Sequence, residues 1–134
     1  MFSIEMEVRD YELDAQGIVN NSTYQNYLEH ARHKFLESIG VNFAQLAAEG
    51  INLLVVRAEL DYKSSLKAND FFRVEVAVEK VSRVKFAFHQ KILRSTDDKL
   101  VMNAKIFGTC LNQRGRPAFP KEIENALTVV AESL

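Results

Sequence analysis

STYQNYLEHARHKFLESIG, residues Ser22 to Gly40, sets Tyr24, Tyr27, Leu28, Ala31, Phe35 and Ile39 at spacings of mostly 3 and 4. On a helix that repeat makes one apolar stripe. Asn26, Glu29, His30, His33 and Glu37 fall mostly outside it. Ser22 and Gln25 have the spacing of a capping box, in which each side chain takes an orphan backbone N–H of the first turn. Gly40 suits the left-handed residue that ends a helix. About 18 residues make a rod about 27 Å long, and no other segment of the chain offers such a cover for a sheet.

The flanking segments read as strands. Phe2, Ile4, Met6 and Val8 alternate with Ser3, Glu5, Glu7 and Arg9, a period of two with one apolar face. The same alternation runs through Val56–Lys63, Phe72–Glu79 and Val84–His89, and a fifth strand is expected over Leu100–Leu111. A short helix is expected over Phe43–Glu49, and an amphipathic one over Glu122–Leu134. Ser95–Asp98 and Arg114–Pro117 carry turn residues. The order strand, long helix, short helix, then strands is α+β, and alternating strands suit an antiparallel sheet with one covered face. The expected architecture is a curved five-stranded antiparallel sheet wrapped around the helix at Ser22–Ile39.

Composition narrows the function. A chain of 134 residues fits one domain spanning residues 1–134. Lys and Arg number 17 against 18 Asp and Glu, so a whole-molecule basic field for nucleic acid is excluded. One cysteine, Cys110, excludes an intrachain disulfide and a multi-cysteine zinc site. MFSIEMEVRD is charged by residue 5 and lacks a signal-peptide apolar region. No apolar run approaches the roughly 20 residues of a membrane helix. The expectation is a cytoplasmic protein with no membrane or nucleic-acid partner.

VRDYELDAQGIVNNSTYQNYLEHAR, Val8 to Arg32, is the most informative part of the chain for function. Asp14 lies a few residues before a helix N-terminus, whose unpaired N–H groups and partial positive charge can polarise a carbonyl. A carboxylate facing such donors can attack that carbonyl or activate water against it. Gly17 lets the loop turn and admits a ligand close to the backbone. Taken alone, this pattern reads more readily as one loop acid near a helix dipole.

Asp14, Gly17, Val19, Asn20, Asn21, Tyr24, Glu29, Ala31 and Arg32 together resemble the active-site motif of the 4-hydroxybenzoyl-CoA thioesterase family, of the hotdog fold. Asp61-Tyr62-Lys63 through Asp70, and Gly115-Arg116-Pro117 with Pro120, resemble later parts of the same pattern. The pair Asn20-Asn21 departs from the Tyr-His of many members and is similar to acyl-carrier-protein thioesterases. Ser64-Ser65 stands where the family often has proline.

The resemblance implies an acyl-CoA thioesterase, with acyl-carrier protein as the alternative carrier. It makes Asp14 the catalytic carboxylate, as nucleophile or as general base, and the backbone N–H of Asn21 the carbonyl polariser. Tyr24 comes near the acyl group, although a tyrosine on the apolar stripe reads equally as core. Gly17 and Asn20 border the substrate. Arg83, Lys85, Arg114 and Arg116 become the phosphate-binding patch, although each alone is slightly more readily a solvated turn residue. Asp10 and Glu12 lie outside the matched motif, and Glu29 and Arg32 order the helix. The family also implies a homodimer or homotetramer, with no cofactor or metal. His30 and His33 lack a third ligand in view. His89 reads as a strand surface residue and Cys110 as a small apolar one. A non-catalytic acyl-thioester binding module is the competing class, and a hydratase needs a histidine at the helix start that this chain lacks.

Overall fold

The computed structural model describes residues 1–132. Strands β1 (Phe2–Glu7), β2 (Asn52–Tyr62), β3 (Phe71–Ser82), β4 (Lys85–Arg94) and β5 (Leu100–Leu111) form one sheet in the order β1-β3-β4-β5-β2. Every neighbouring pair is antiparallel. Helix α1 (Thr23–Ser38) lies against the curved sheet, α2 (Phe43–Ala48) follows it, and α3 (Lys121–Glu132) packs on β3. The end of the closing helix expected at 133–134 lies outside the described residues.

Alternation does the work in β3. Phe72, Val74, Val76 and Val78 are buried, while Arg73, Glu75, Ala77 and Glu79 face outward or are partly covered. From α1 the residues Tyr24, Tyr27, Leu28, Ala31, Phe35 and Leu36 meet that face. Each large apolar side chain removed from water there contributes about 1.5–3 kcal/mol. Gly40 has φ +89°, the left-handed conformation that glycine adopts without a Cβ penalty.

Two local expectations are corrected. Ser22 is already helical in φ and ψ and its side chain caps nothing at N3, so the Ser22–Gln25 capping box does not form. Asn20 supplies the start: its Oδ1 accepts from the Ser22 N–H at 3.1 Å and the Ser22 hydroxyl at 3.0 Å, and its carbonyl accepts from the Thr23 N–H at 2.9 Å. Strand β2 begins at Asn52 and contains an irregularity between Val55 and Arg57. An extra residue at a bulge breaks the period of two, which is why alternation alone starts that strand at Val56.

Candidate active site

Residues 12–20 form a small hairpin. The Asn20 N–H donates to the Glu12 carbonyl at 3.0 Å, and the Asp14 N–H to the Ile18 carbonyl at 2.8 Å. The Gly17 N–H closes the turn on the Asp14 carbonyl at 3.1 Å. Gly17 has φ +80° with open space around it, the usual glycine of a hairpin turn with a bulge. Asp14 Oδ1 accepts from the Gln16 N–H at 2.8 Å and more weakly from the Ile18 N–H at 3.4 Å. Among the described residues nothing donates to Asp14 Oδ2. One carboxylate oxygen thus fixes the turn, and the other takes no part in it. The second arm of the hairpin pairs with a strap ahead of β3: the Val19 N–H donates to the Leu66 carbonyl at 2.9 Å, and Ile18 bridges Lys67.

That arm runs straight into α1. Asn21 is exposed and its N–H has no acceptor among the described residues, while its carbonyl accepts from the Tyr62 hydroxyl at 3.2 Å. A free N–H beside a helix N-terminus adds its own dipole to the partial positive charge of the helix. Tyr24 is buried, and its hydroxyl oxygen accepts from the Leu66 N–H at 3.0 Å. Burial raises its phenol above the ordinary value, and the nearby charges of Asp14 and Asp70 act in the same direction. Its ring meets Tyr27 and Tyr62 edge-on, with centroids 6.0 and 5.8 Å away. The fold therefore gathers Asp14, Gly17, Asn20, Asn21 and Tyr24 at one end of the sheet.

The basic residues lie at the other end. Arg83 occupies the β3–β4 turn and Lys85 opens β4. Arg114 and Arg116 flank Gly115 in a turn held by Asn112, whose Oδ1 accepts from both of their N–H groups. The Thr109 hydroxyl donates to the Val84 carbonyl, so both turns share that end. The 12 residues of β5, about 40 Å at 3.3 Å each, separate it from the end that carries Asp14. One chain does not bring the two groups of residues together.

A groove of about 520 Å³ lies between α1, α2 and β2, walled by Phe43, Leu46, Leu53, Phe88, Phe119 and Leu127. A second cavity of about 360 Å³ starts at Ser22 and Gln25 near the helix N-terminus. The two share Glu29, Arg32, Val55 and Ile106 as lining. At the junction, Arg32 Nη1 donates to Gln90 Oε1 at 3.0 Å, and Gln90 Nε2 donates to the Leu28 carbonyl at 3.0 Å. Burial lowers the Arg32 pKa.

The remaining candidates sit apart. His30 is exposed, and the His33 ring rests 4.9 Å from Phe43. His89 meets Glu79 on the outer face at 2.6 Å. Among the described residues no group of three His, Cys, Asp or Glu is arranged to hold a metal, and no helix is long and apolar enough to cross a membrane. Cys110 is buried, which pushes its thiol up to about 11. Sequence reasoning missed Glu12, Tyr27 and Tyr62 as neighbours of the site. Glu12 lies two residues before Asp14, but only the hairpin turns its side chain toward the core.

The Thioesterase-like superfamily model matches residues 8–127. The Arabidopsis thaliana chloroplastic acyl-acyl carrier protein thioesterase ATL3 is 36% identical over 114 residues, 85% of this chain and 60% of that protein. This chain thus spans about three fifths of that relative's length. The acyl-CoA thioesterase YbgC of Haemophilus influenzae is 29% identical over 93% of each chain. A hypothetical protein from Aquifex aeolicus, of known crystal structure, superposes with a TM-score of 0.87 at 32% identity, covering 95% of this chain and 99% of that one. With the family model matching most of the chain and the fold shared with a solved structure, the chain belongs to the thioesterase-like superfamily of hotdog proteins.

Proposed function

We propose that the protein hydrolyses acyl thioesters, with Asp14 as the reacting carboxylate. One observation carries the reading. Among the described residues nothing donates to Asp14 Oδ2 and nothing accepts from the Asn21 N–H, which the hairpin's last residue adjoins at a helix N-terminus. The thioester carbonyl oxygen accepts from that N–H, and the negative charge that develops on it is stabilised there. Asp14 then acts in one of two ways. It attacks the carbonyl carbon, expelling the thiolate and leaving an acyl-Asp14 anhydride that water cleaves. Alternatively it takes a proton from water as the water oxygen attacks, and the tetrahedral intermediate expels the thiolate. Both routes give a free acid and a thiol. Gly17 and Asn20 border the carbonyl, the Tyr24 ring flanks it, and the acyl group extends along α1 toward the apolar groove.

The carrier is coenzyme A or acyl-carrier protein. The names of the relatives divide between the two, and ATL3 favours the carrier protein as second reading. Arg83, Lys85, Arg114 and Arg116 supply the positive charge either carrier's phosphates need. These turns reach Asp14 through a second copy of the chain. Strand β2 is an open edge with Leu54, Val55 and Val56 at 40%, 53% and 50% exposure, a surface that templates pairing. If two β2 strands pair antiparallel, the Asn52 end of one, beside its basic turns, lies along the Tyr62 end of the other. A panel of acyl-CoA and acyl-carrier-protein thioesters, read by thiol release, tests the function. Release from one carrier class is expected, and no release from any member overturns the reading in favour of a binding module.

A further inference from the structure

We infer that Glu12, through the Tyr27 hydroxyl, is a positioning residue that holds the Asp14 hairpin in register with the start of α1. The inference rests on the thioesterase reading of that hairpin and adds a residue to it. Glu12 begins the hairpin, and its own carbonyl receives the Asn20 N–H at 3.0 Å, directly ahead of Asn21. Its carboxylate turns the other way, into the protein, where its side chain is only 9% exposed. There Oε1 accepts from the Tyr27 hydroxyl at 2.7 Å and from the Arg9 N–H at 2.7 Å, and Oε2 stands 3.7 Å from the Arg9 guanidinium. Tyr27 is fixed in turn. It is 2% exposed, projects from the second turn of α1 and packs on Phe72 of β3 with ring centroids 4.6 Å apart. Burial, then the Glu12 carboxylate, keeps its phenol protonated and donating well above the ordinary range.

The geometry ties three segments to one carboxylate: the chain leaving β1, the hairpin that carries Asp14, and the rigid body of α1. The other contacts of the hairpin do not replace it. Ile18 and Val19 pair with the strap at Leu66 and Lys67, which fixes the second arm relative to the sheet. The Tyr62 hydroxyl fixes the carbonyl of Asn21. The backbone bond from the Asn20 N–H to the Glu12 carbonyl reaches only the chain ahead of α1. Among the described residues, the hydrogen bond that ties the first arm, on which Asp14 sits, to the body of the helix is the one from the Tyr27 hydroxyl to the Glu12 carboxylate. Acid and donor work together only if their separation is kept to a fraction of an ångström, and a misplacement of about 1 Å costs about 100-fold in rate.

Three variants and one double variant test this on the full chain with a good thioester substrate, each assayed well below its own melting temperature. Tyr27→Phe removes one oxygen and keeps the packing. Glu12→Ala removes the acceptor, and Glu12→Gln keeps an acceptor oxygen without the charge. Tyr27→Phe and Glu12→Ala are expected to lower kcat by about 10-fold or more with KM moved by less than about 3-fold, because the loss is in transition-state alignment. Glu12→Gln is expected to recover most of the loss of Glu12→Ala. In an Asp14→Asn background, Glu12→Ala is expected to lower turnover no further, as non-additivity of groups acting together requires. A purely structural Glu12 lowers the melting temperature and leaves kcat of the folded fraction unchanged, and that result overturns the inference. So does an additive loss in the double variant, or a Glu12→Gln as slow as Glu12→Ala. If the wild type releases no thiol from any thioester, the functional reading itself fails and the inference falls with it. Wild-type turnover with unimpaired variants sinks the inference alone.

Discussion

Asp14 and Glu12 are two carboxylates two residues apart, and the hairpin points them at different tasks. Glu12 is committed to Tyr27 and Arg9. Asp14 gives one oxygen to its own turn and keeps the other. Asp14→Asn preserves an acceptor oxygen for the Gln16 N–H, so the turn survives at a cost of about 0.3–1 kcal/mol from the lost charge near the helix dipole. On the proposed reading it removes the nucleophile or the general base, so kcat is expected to fall by about 100-fold or more. The matched control is Asp10→Asn, because Asp10 is exposed and its carboxylate, among the described residues, accepts only from the Tyr11 N–H. Equal turnover for Asp14→Asn and wild type, or equal losses in both variants, contradicts the role of Asp14. From the sequence, the motif singled out Asp14 and left Asp10 and Glu12 as equivalent bystanders. Nothing in a string of acids tells which oxygen a folded hairpin turns inward, since that depends on Tyr27, 15 positions away.

Elements were more legible than contacts, and the reasons are physical. Periods of two and of three to four survive in single sequences because burial of one face imposes them, which is how the order of strands and the stripe of α1 emerged. Caps and bulges depend on one local hydrogen bond each, so Asn20 displaced the expected capping box and the irregular Val55–Arg57 stretch hid the start of β2. The link between α1 and the sheet was equally hidden. Gln90 is a polar residue at 1% exposure in the centre of the sheet, and it is buried because it satisfies both Arg32 and the Leu28 carbonyl. Gln90→Leu adds apolar surface yet strands the guanidinium, so a loss of about 1–3 kcal/mol is expected in urea unfolding. Adding Arg32→Met to that variant removes the stranded charge as well and is expected to restore part of the loss. A Gln90→Leu variant as stable as wild type, or no recovery in the double variant, shows that the pair does not join helix to sheet.

At the scale of the molecule, the distribution of charge and edge points beyond one chain. Asp14 and the basic turns occupy opposite ends of the sheet, and β2 is left as an edge with an apolar stretch of adjoining residues, Leu53 to Val56. Antiparallel pairing of two such edges resolves both facts at once, since it exchanges ends between copies. Val55→Lys places a charge in the edge and is expected to give a monomer by sedimentation, with thioester turnover lost. Charge reversal at Arg83 and Lys85 together is expected to raise KM more than it lowers kcat, because phosphate contacts are the same in ground and transition states. The effect is expected to shrink at high salt, as exposed charges are screened over about 8 Å at 0.15 M. The decisive experiment mixes two defective chains. Asp14→Asn chains keep the basic turns and lack the carboxylate; the charge-reversed chains keep the carboxylate and lack the turns. If each site draws on two copies, a hybrid dimer holds one site in which Asp14 of one chain faces intact basic turns of the other. Dissociating and reassociating the mixture is then expected to bring back hydrolysis with a wild-type KM, measured at substrate concentrations where neither parent acts. If every site lies within a single chain, no hybrid contains a complete one, and the mixture stays as slow as its parents.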